Sequence, residues 1–159
     1  VLAWRFPEIT PDDLWNSAKE LTSPGWCDGR AGLAALALMM YRDTGERECL
    51  DIALEMTSIG VREAANADGL CHGRMGVLAV AAGAARAGDE SSLARMVTES
   101  AEESCWRAET EGWSLEGGAV GHGWLTGIAG IAWGLLAVAN QPRVNPLSPA
   151  DASAWASGR

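Results

Sequence analysis

Three stretches of this chain align with one another without a gap: GWCDGRAG (Gly25 to Gly32), GLCHGRMG (Gly69 to Gly76) and GWLTGIAG (Gly123 to Gly130). Each carries the pattern G-x-x-x-G-x-x-G. Their final glycines, Gly32, Gly76 and Gly130, recur at intervals of 44 and 54 residues. Self-similarity on that scale is the mark of a repeat architecture, in which one supersecondary unit stacks on the next. Each motif runs into a small-residue apolar segment: LAALALMMY, VLAVAAGAA and IAWGLLAVA. These are apolar on nearly every face, which predicts helices buried all round. Polar turn signals follow in the first two units, RDTGE and AGDESS. An amphipathic stretch comes next. Leu50, Ala53, Leu54 and Val61 recur at helical spacing, as do Leu93, Met96, Val97 and Ser104. Acidic residues such as Asp51, Glu55, Glu102 and Glu103 fill much of the remainder.

The unit is therefore a glycine loop, a buried helix, a turn and a one-faced helix. Stacked, such units form an inner layer of apolar helices and an outer layer of amphipathic ones, with the glycine loops gathered at one end of the inner layer. There is no sustained alternation of β-branched residues, so the predicted class is all-α. Residues 1–22 are predicted to hold the outer helix of a preceding unit. Within it Leu14, Ala18 and Leu21 share a face, Thr10 or Asp12 is the candidate cap, and Pro11 falls in the first turn. Residues 23–140 hold three repeats. Residues 141–159, with Pro142, Pro146, Pro149 and Trp155, are expected to be an irregular tail.

Composition narrows the classes of function. With 159 residues and 48% hydrophobic content, the chain can build one domain with a core. The net charge is −9 and there is no basic run, which argues against nucleic acid and against an anionic membrane surface. No stretch reads as a membrane span: apolar runs such as Leu33 to Met40 fall well short of the roughly 20 residues a spanning helix needs. The first residues lack the basic segment and apolar core of a signal peptide, so a cytoplasmic setting with reduced thiols is expected. Val1, in place of Met, leaves open a fragment, a processed piece or a segment excised from something larger. Cys49 and Cys105 sit in charged, helix-like stretches and are expected to act as small buried or half-buried hydrophobes.

Cys27 and Cys71 differ. Both occupy the third position of their glycine motifs, and matching columns of stacked repeats converge. His72 follows Cys71 directly, on a backbone that glycines leave free to turn both side chains inward. Two thiolates and an imidazole form a soft-to-borderline donor set that suits zinc. Three protein ligands leave a fourth tetrahedral position open, as in catalytic zinc sites. The third motif has Leu125 and Thr126 at the corresponding positions and offers no further ligand. The plainer alternative is that Cys27 and Cys71 are small residues at a tight helix packing, with His72 an incidental neighbour. His122, just before the third motif, is a candidate for proton transfer or a surface histidine. Asp28 and Arg30 are either supports for the ligands or exposed loop charges. Of the eight tryptophans, Trp26 and Trp124 are expected to pack between repeats, and Trp106 and Trp113 to lie in the core or line a groove.

GWCDGRAG, LCHGRMG and GWLTGIAGIAWGLL together resemble the late motifs of LanC-like lanthionine cyclases, including the cyclase domains of fused lanthipeptide synthetases. The resemblance covers roughly Gly25 to Leu136. It implies an α/α toroid, here a partial ring of about three helix pairs where a full family ring has seven. It implies a Zn2+ ion held by Cys27, Cys71 and His72. The implied reaction adds a peptide cysteine thiolate to a dehydroalanine or dehydrobutyrine of the same dehydrated precursor peptide, closing a thioether ring. The acid and base residues proposed for the family lie in earlier repeats and match no position here. His122 is carried as a proton donor, and Arg30 or Arg74 as a stabiliser of the enolate. The missing repeats call for a second chain, a further segment or a homo-oligomer. The rival expectations are a zinc-bearing partner subunit inactive alone, a structural zinc interaction module, and a transferase that takes a free small thiol such as glutathione.

Overall fold

The computed structural model describes residues 9–63, 67–115 and 121–140. Among them are six helices and no strand: α1 Pro11–Glu20, α2 Arg30–Thr44, α3 Arg47–Arg62, α4 Arg74–Gly88, α5 Ser91–Glu111 and α6 Ile128–Asn140. The expected tail from 141 to 159, with Trp155, and residues 1–8 lie outside the described residues.

Local chemistry sets the helix ends. Thr10, not Asp12, caps α1: its hydroxyl accepts from the Asp13 N–H at 3.2 Å, and the Asp13 carboxylate accepts from the Thr10 N–H at 2.8 Å. Pro11 opens the helix, where its missing N–H costs nothing. α2 ends at Gly45 and α4 at Asp89, both in the left-handed conformation that frees the last carbonyls to accept from the turn. Each inner helix starts inside its glycine motif, at Arg30, Arg74 and Ile128, with Gly29 and Gly73 as the N-caps of α2 and α4.

The helices alternate between two layers. α2, α4 and α6 form the inner row, with α4 between the other two; α1, α3 and α5 form the outer row. Consecutive helices pack antiparallel and the units step sideways, giving an all-α sector of an α/α toroid. The core fills the space between the rows. Leu14 and Ala18 of α1, Ile52, Ala53 and Met56 of α3, and Leu93, Val97 and Ala101 of α5 meet Ala34 and Ala37 of α2 and Met75, Leu78 and Ala81 of α4. Small residues let the inner helices approach closely. At Gly134 of α6 an added Cβ would come 2.6 Å from the Cβ of Met75 on α4, well inside contact distance.

One expectation needs correction. Burial on nearly every face comes closest to holding for α4, where nine of its residues, from Met75 to Ala85, are buried and Val80 and Gly83 are half-buried. It does not hold for its neighbours. In α2 the buried residues are Ala31, Ala34 and Ala37, and Met39 is 46% exposed. In α6 Leu136 is 53% exposed. The cause is position in the row: α4 has an inner helix on each side, whereas α2 and α6 each have one. Trp106, expected in the core or along a groove, is exposed on α5 because it faces away from Val97, Ala101 and Ser104.

Candidate metal centre

The three glycine loops form a stitched stack. The N–H of the second residue in one loop donates to the C=O of the third residue in the next: Trp26 to Cys71 at 2.7 Å, and Leu70 to Leu125 at 3.0 Å. The same bond recurs because the same sequence recurs. Within each loop another repeated bond closes the turn into the helix: Arg30 N–H to Ser23 C=O, Arg74 N–H to Ala67 C=O, and Ile128 N–H to Gly121 C=O, at 2.8 to 3.0 Å. The glycines are required by close approach. At Gly32, Gly76 and Gly130 a Cβ would overlap the carbonyl oxygen of Trp26, Leu70 and Trp124 respectively, again one column in three loops.

This register carries the third column together. Cys27 and Cys71 have Cα atoms 5.7 Å apart. The donor atoms of Cys27, Cys71 and His72 all lie within 4.8 Å of one another, and Cys71 Sγ is 3.9 Å from His72 Nε2. Cys71 is buried and Cys27 exposed, so the group sits where loop meets solvent. The Cys71 backbone is held on both sides, its C=O by the Trp26 N–H and its N–H by the Leu125 C=O at 2.9 Å.

The expectation of reduced thiols does not describe this pair: Cys27 and Cys71 are joined as a disulfide. Sulfurs bonded to each other do not ligate a cation as thiolates, so any metal site here belongs to the reduced form. The reduced donors fit a zinc ion chemically and in spacing. Two sulfurs about 2.3 Å from a tetrahedral zinc stand roughly 3.8 Å apart, a separation the two Cys backbones can span, and a sulfur–nitrogen edge is roughly 3.6 Å. The remaining cysteines stand apart from the group. Cys49 is buried in α3, where burial, then Glu46 and Glu48, push its thiol above the ordinary value. Cys105 is half-buried on α5.

The other candidates take separate places. Asp28 accepts from the Ser23 hydroxyl at 3.1 Å, which ties down the first loop. Arg30 pairs with Glu63 at the end of α3. Arg74, in the first turn of α4, is 3.8 Å from Glu103 on α5, and its Nε is buried without a hydrogen-bond partner. His122 is exposed beside the third loop. Trp26 adjoins a repeat boundary, facing the inner surface beside Leu70 and Gly76 of the next loop, whereas Trp124 is 38% exposed and its ring lies 5.7 Å from that of Trp133 on α6, within its own repeat.

Two features escape sequence reasoning. Asp68 is a fully buried carboxylate in the loop before Cys71, and it pairs with Arg107 of α5. In the sequence it is one more polar residue of a turn, and its partner is 39 positions away. The second is a cleft of about 420 Å³ on the concave side of the inner row. It starts at Trp26 and Leu70 of the loops, runs between Leu38, Val80 and Trp133, and ends at Arg42 and Arg86 in the last turns of α2 and α4. Burial lowers Arg86 from its ordinary value. The apolar runs gave notice of buried helices but not of an open concave face.

No helix among the described residues is long and apolar enough to cross a membrane. No curated protein matches the chain. The family profile described as Lanthionine synthetase C-like protein matches residues 6–147, spanning all three glycine loops and all six helices. With that match over most of its length, the chain belongs to the lanthionine synthetase C-like family.

Proposed function

We propose that the chain is the zinc-bearing part of a lanthionine-forming cyclase, with Cys27 and Cys71 in reduced form and His72 as the metal ligands. The observation that carries this reading is the meeting of those three donors, by repeat register, at the end of the inner helices. Zinc in such a site supplies a Lewis acid that lowers the pKa of an incoming thiol and keeps it as thiolate near neutral pH. The substrate is a dehydrated precursor peptide, whose cysteine adds to the β-carbon of a dehydroalanine or dehydrobutyrine to form a carbon–sulfur bond.

The chain's own residues handle the rest. The apolar cleft below the loops, walled by Leu38, Val80 and Trp133, takes up side chains of the peptide and excludes water from them. His122, exposed at the third loop, is assigned the proton that the α-carbon acquires after addition. Arg74 is assigned to the negative charge that develops on the acceptor's carbonyl oxygen. The half-open inner helices α2 and α6 are covered by further helix pairs, from a second chain, another segment or a second copy.

The test is direct. The chain is reduced, loaded with zinc and incubated with a dehydrated peptide, and the loss of free thiol is followed. One zinc per chain and steady thiol loss are expected, and Cys27→Ala, Cys71→Ala or His72→Ala should abolish both. Zinc retained by all three variants sinks the reading. Zinc bound at full stoichiometry with no thiol loss favours the partner-subunit version, for which the open concave cleft is the supporting observation.

A further inference from the structure

We propose that Asp68 is a positioning residue for the Cys71–His72 loop, anchoring it to the outer layer through Arg107 and Ser114; this rests on the reading of Cys27, Cys71 and His72 as metal ligands. Asp68 lies three residues before Cys71 and is 0% exposed. Both carboxylate oxygens are in use. Oδ1 accepts from the guanidinium of Arg107 on α5, and Oδ2 accepts from the Ser114 N–H at 2.8 Å. The Asp68 N–H in turn donates to the Ser114 C=O at 2.7 Å. A buried charge persists only where it is paired and hydrogen-bonded, and removing one partner leaves the other stranded.

The direction of this tie distinguishes it from the loop's backbone bonds to neighbouring loops, and it adds to the 3.8 Å approach of Arg74 to Glu103 on α5. Trp26 and Leu125 hold the Cys71 backbone along the stack, loop to loop. Asp68 holds the same loop outward, to the end of α5 and the segment that follows it. The corresponding positions of the other two motifs are Pro24 and His122. The staple is therefore specific to the loop that carries two of the three donors. A loop fixed in two directions presents Cys71 and His72 already ordered, whereas a loop fixed in one must be ordered when the metal binds.

The experiment measures zinc affinity of the reduced full chain by competition with a chromophoric chelator, for the wild type, Asp68→Asn, Arg107→Gln, Arg107→Lys and Leu93→Ala. Asp68→Asn and Arg107→Gln are expected to weaken zinc binding about 10- to 100-fold, the range for residues that orient ligands from outside the coordination sphere. Arg107→Lys, which keeps the cation, should recover most of that loss. With cobalt in place of zinc, the thiolate-to-metal charge-transfer band should weaken in the same two variants. Leu93→Ala, about 21 Å from Arg107 along α5, lowers stability through the core and should leave affinity and spectrum unchanged. The proposal is overturned if Asp68→Asn and Arg107→Gln stay within twofold of the wild type, or if Leu93→Ala weakens zinc binding as much as they do. Should Asp68→Asn fail to fold, Arg107→Gln decides, since that side chain is partly exposed. A wild type that binds no stoichiometric zinc removes the ligand reading and this proposal with it, whereas tight wild-type binding with unaffected variants removes this proposal alone.

Discussion

Gly76 shows how a single residue type governs the site. A Cβ at this position would overlap the Leu70 carbonyl oxygen and come 3.5 Å from Trp26 Cβ, in the neighbouring loop. The Leu70 backbone cannot withdraw, because its N–H is bonded to Leu125 and the adjacent Cys71 C=O to Trp26. Gly76→Ala therefore has no cheap relaxation and should cost more than about 2 kcal/mol, in the range reserved for severe substitutions. Gly121, also at the edge of a glycine loop, has open space where its Cβ would stand. Gly121→Ala should stay within about 0.5 kcal/mol of the wild type. Urea denaturation of the two variants reads the difference. Similar losses in both would show that chain flexibility, not close approach, selects glycine in these loops.

Helix α1 illustrates what an element draws from its ends. Its outward residues are polar, and two apolar residues, Leu14 and Ala18, are fully buried. The Thr10–Asp13 capping box fixes where the helix begins. Hydrogen bonds from the Thr10 side chain, and then from its backbone, hold the Asp13 carboxyl below its ordinary value of 3.8. A group with a depressed folded pKa stabilises the fold above the unfolded value, and that contribution is lost as pH falls through the folded one. Asp13→Asn should therefore lower the urea midpoint at pH 6, and the gap to the wild type should close as pH drops below about 3.8. A gap that persists at pH 2 would mean that the amide disturbs packing instead of removing a charge-assisted cap. The start of α1 at Thr10 or Asp12 is legible from capping chemistry, and the helices that follow the glycine loops and the convergence of Cys27 with Cys71 are legible from spacing within or between repeats. The Asp68–Arg107 pair is not legible: its partners sit in different elements with no shared period. The joining of Cys27 to Cys71 is not legible either, since adjacency in a column brings two sulfurs together without deciding whether they bond to each other or share a cation.

For the whole molecule, the decisive fact is that three inner helices with similar apolar sequences experience different surroundings. α4 is covered on both sides, while α2 and α6 present Met39 and Leu136 to solvent at 46% and 53% exposure, and Trp124 and Leu125 add 38% and 40% at the loop end. Composition cannot distinguish these helices, because the difference lies in which neighbours the row supplies. Apolar surface of this kind favours association, and it competes here with a net charge of −9 on every copy. The two forces respond oppositely to salt. Raising ionic strength shortens the Debye length from about 30 Å at 0.01 M to about 3 Å at 1 M, which removes like-charge repulsion and leaves the hydrophobic term in place. The chain is therefore expected to sediment as a larger species in high salt than in low salt at the same micromolar concentration. The paired substitution Met39→Glu and Leu136→Glu should return it to the monomer at both salts with the helical circular dichroism retained, since neither side chain belongs to the buried core. Association that weakens in high salt, or that survives the paired substitution, would place the contact on charged surface elsewhere and leave the inner faces of α2 and α6 uncovered.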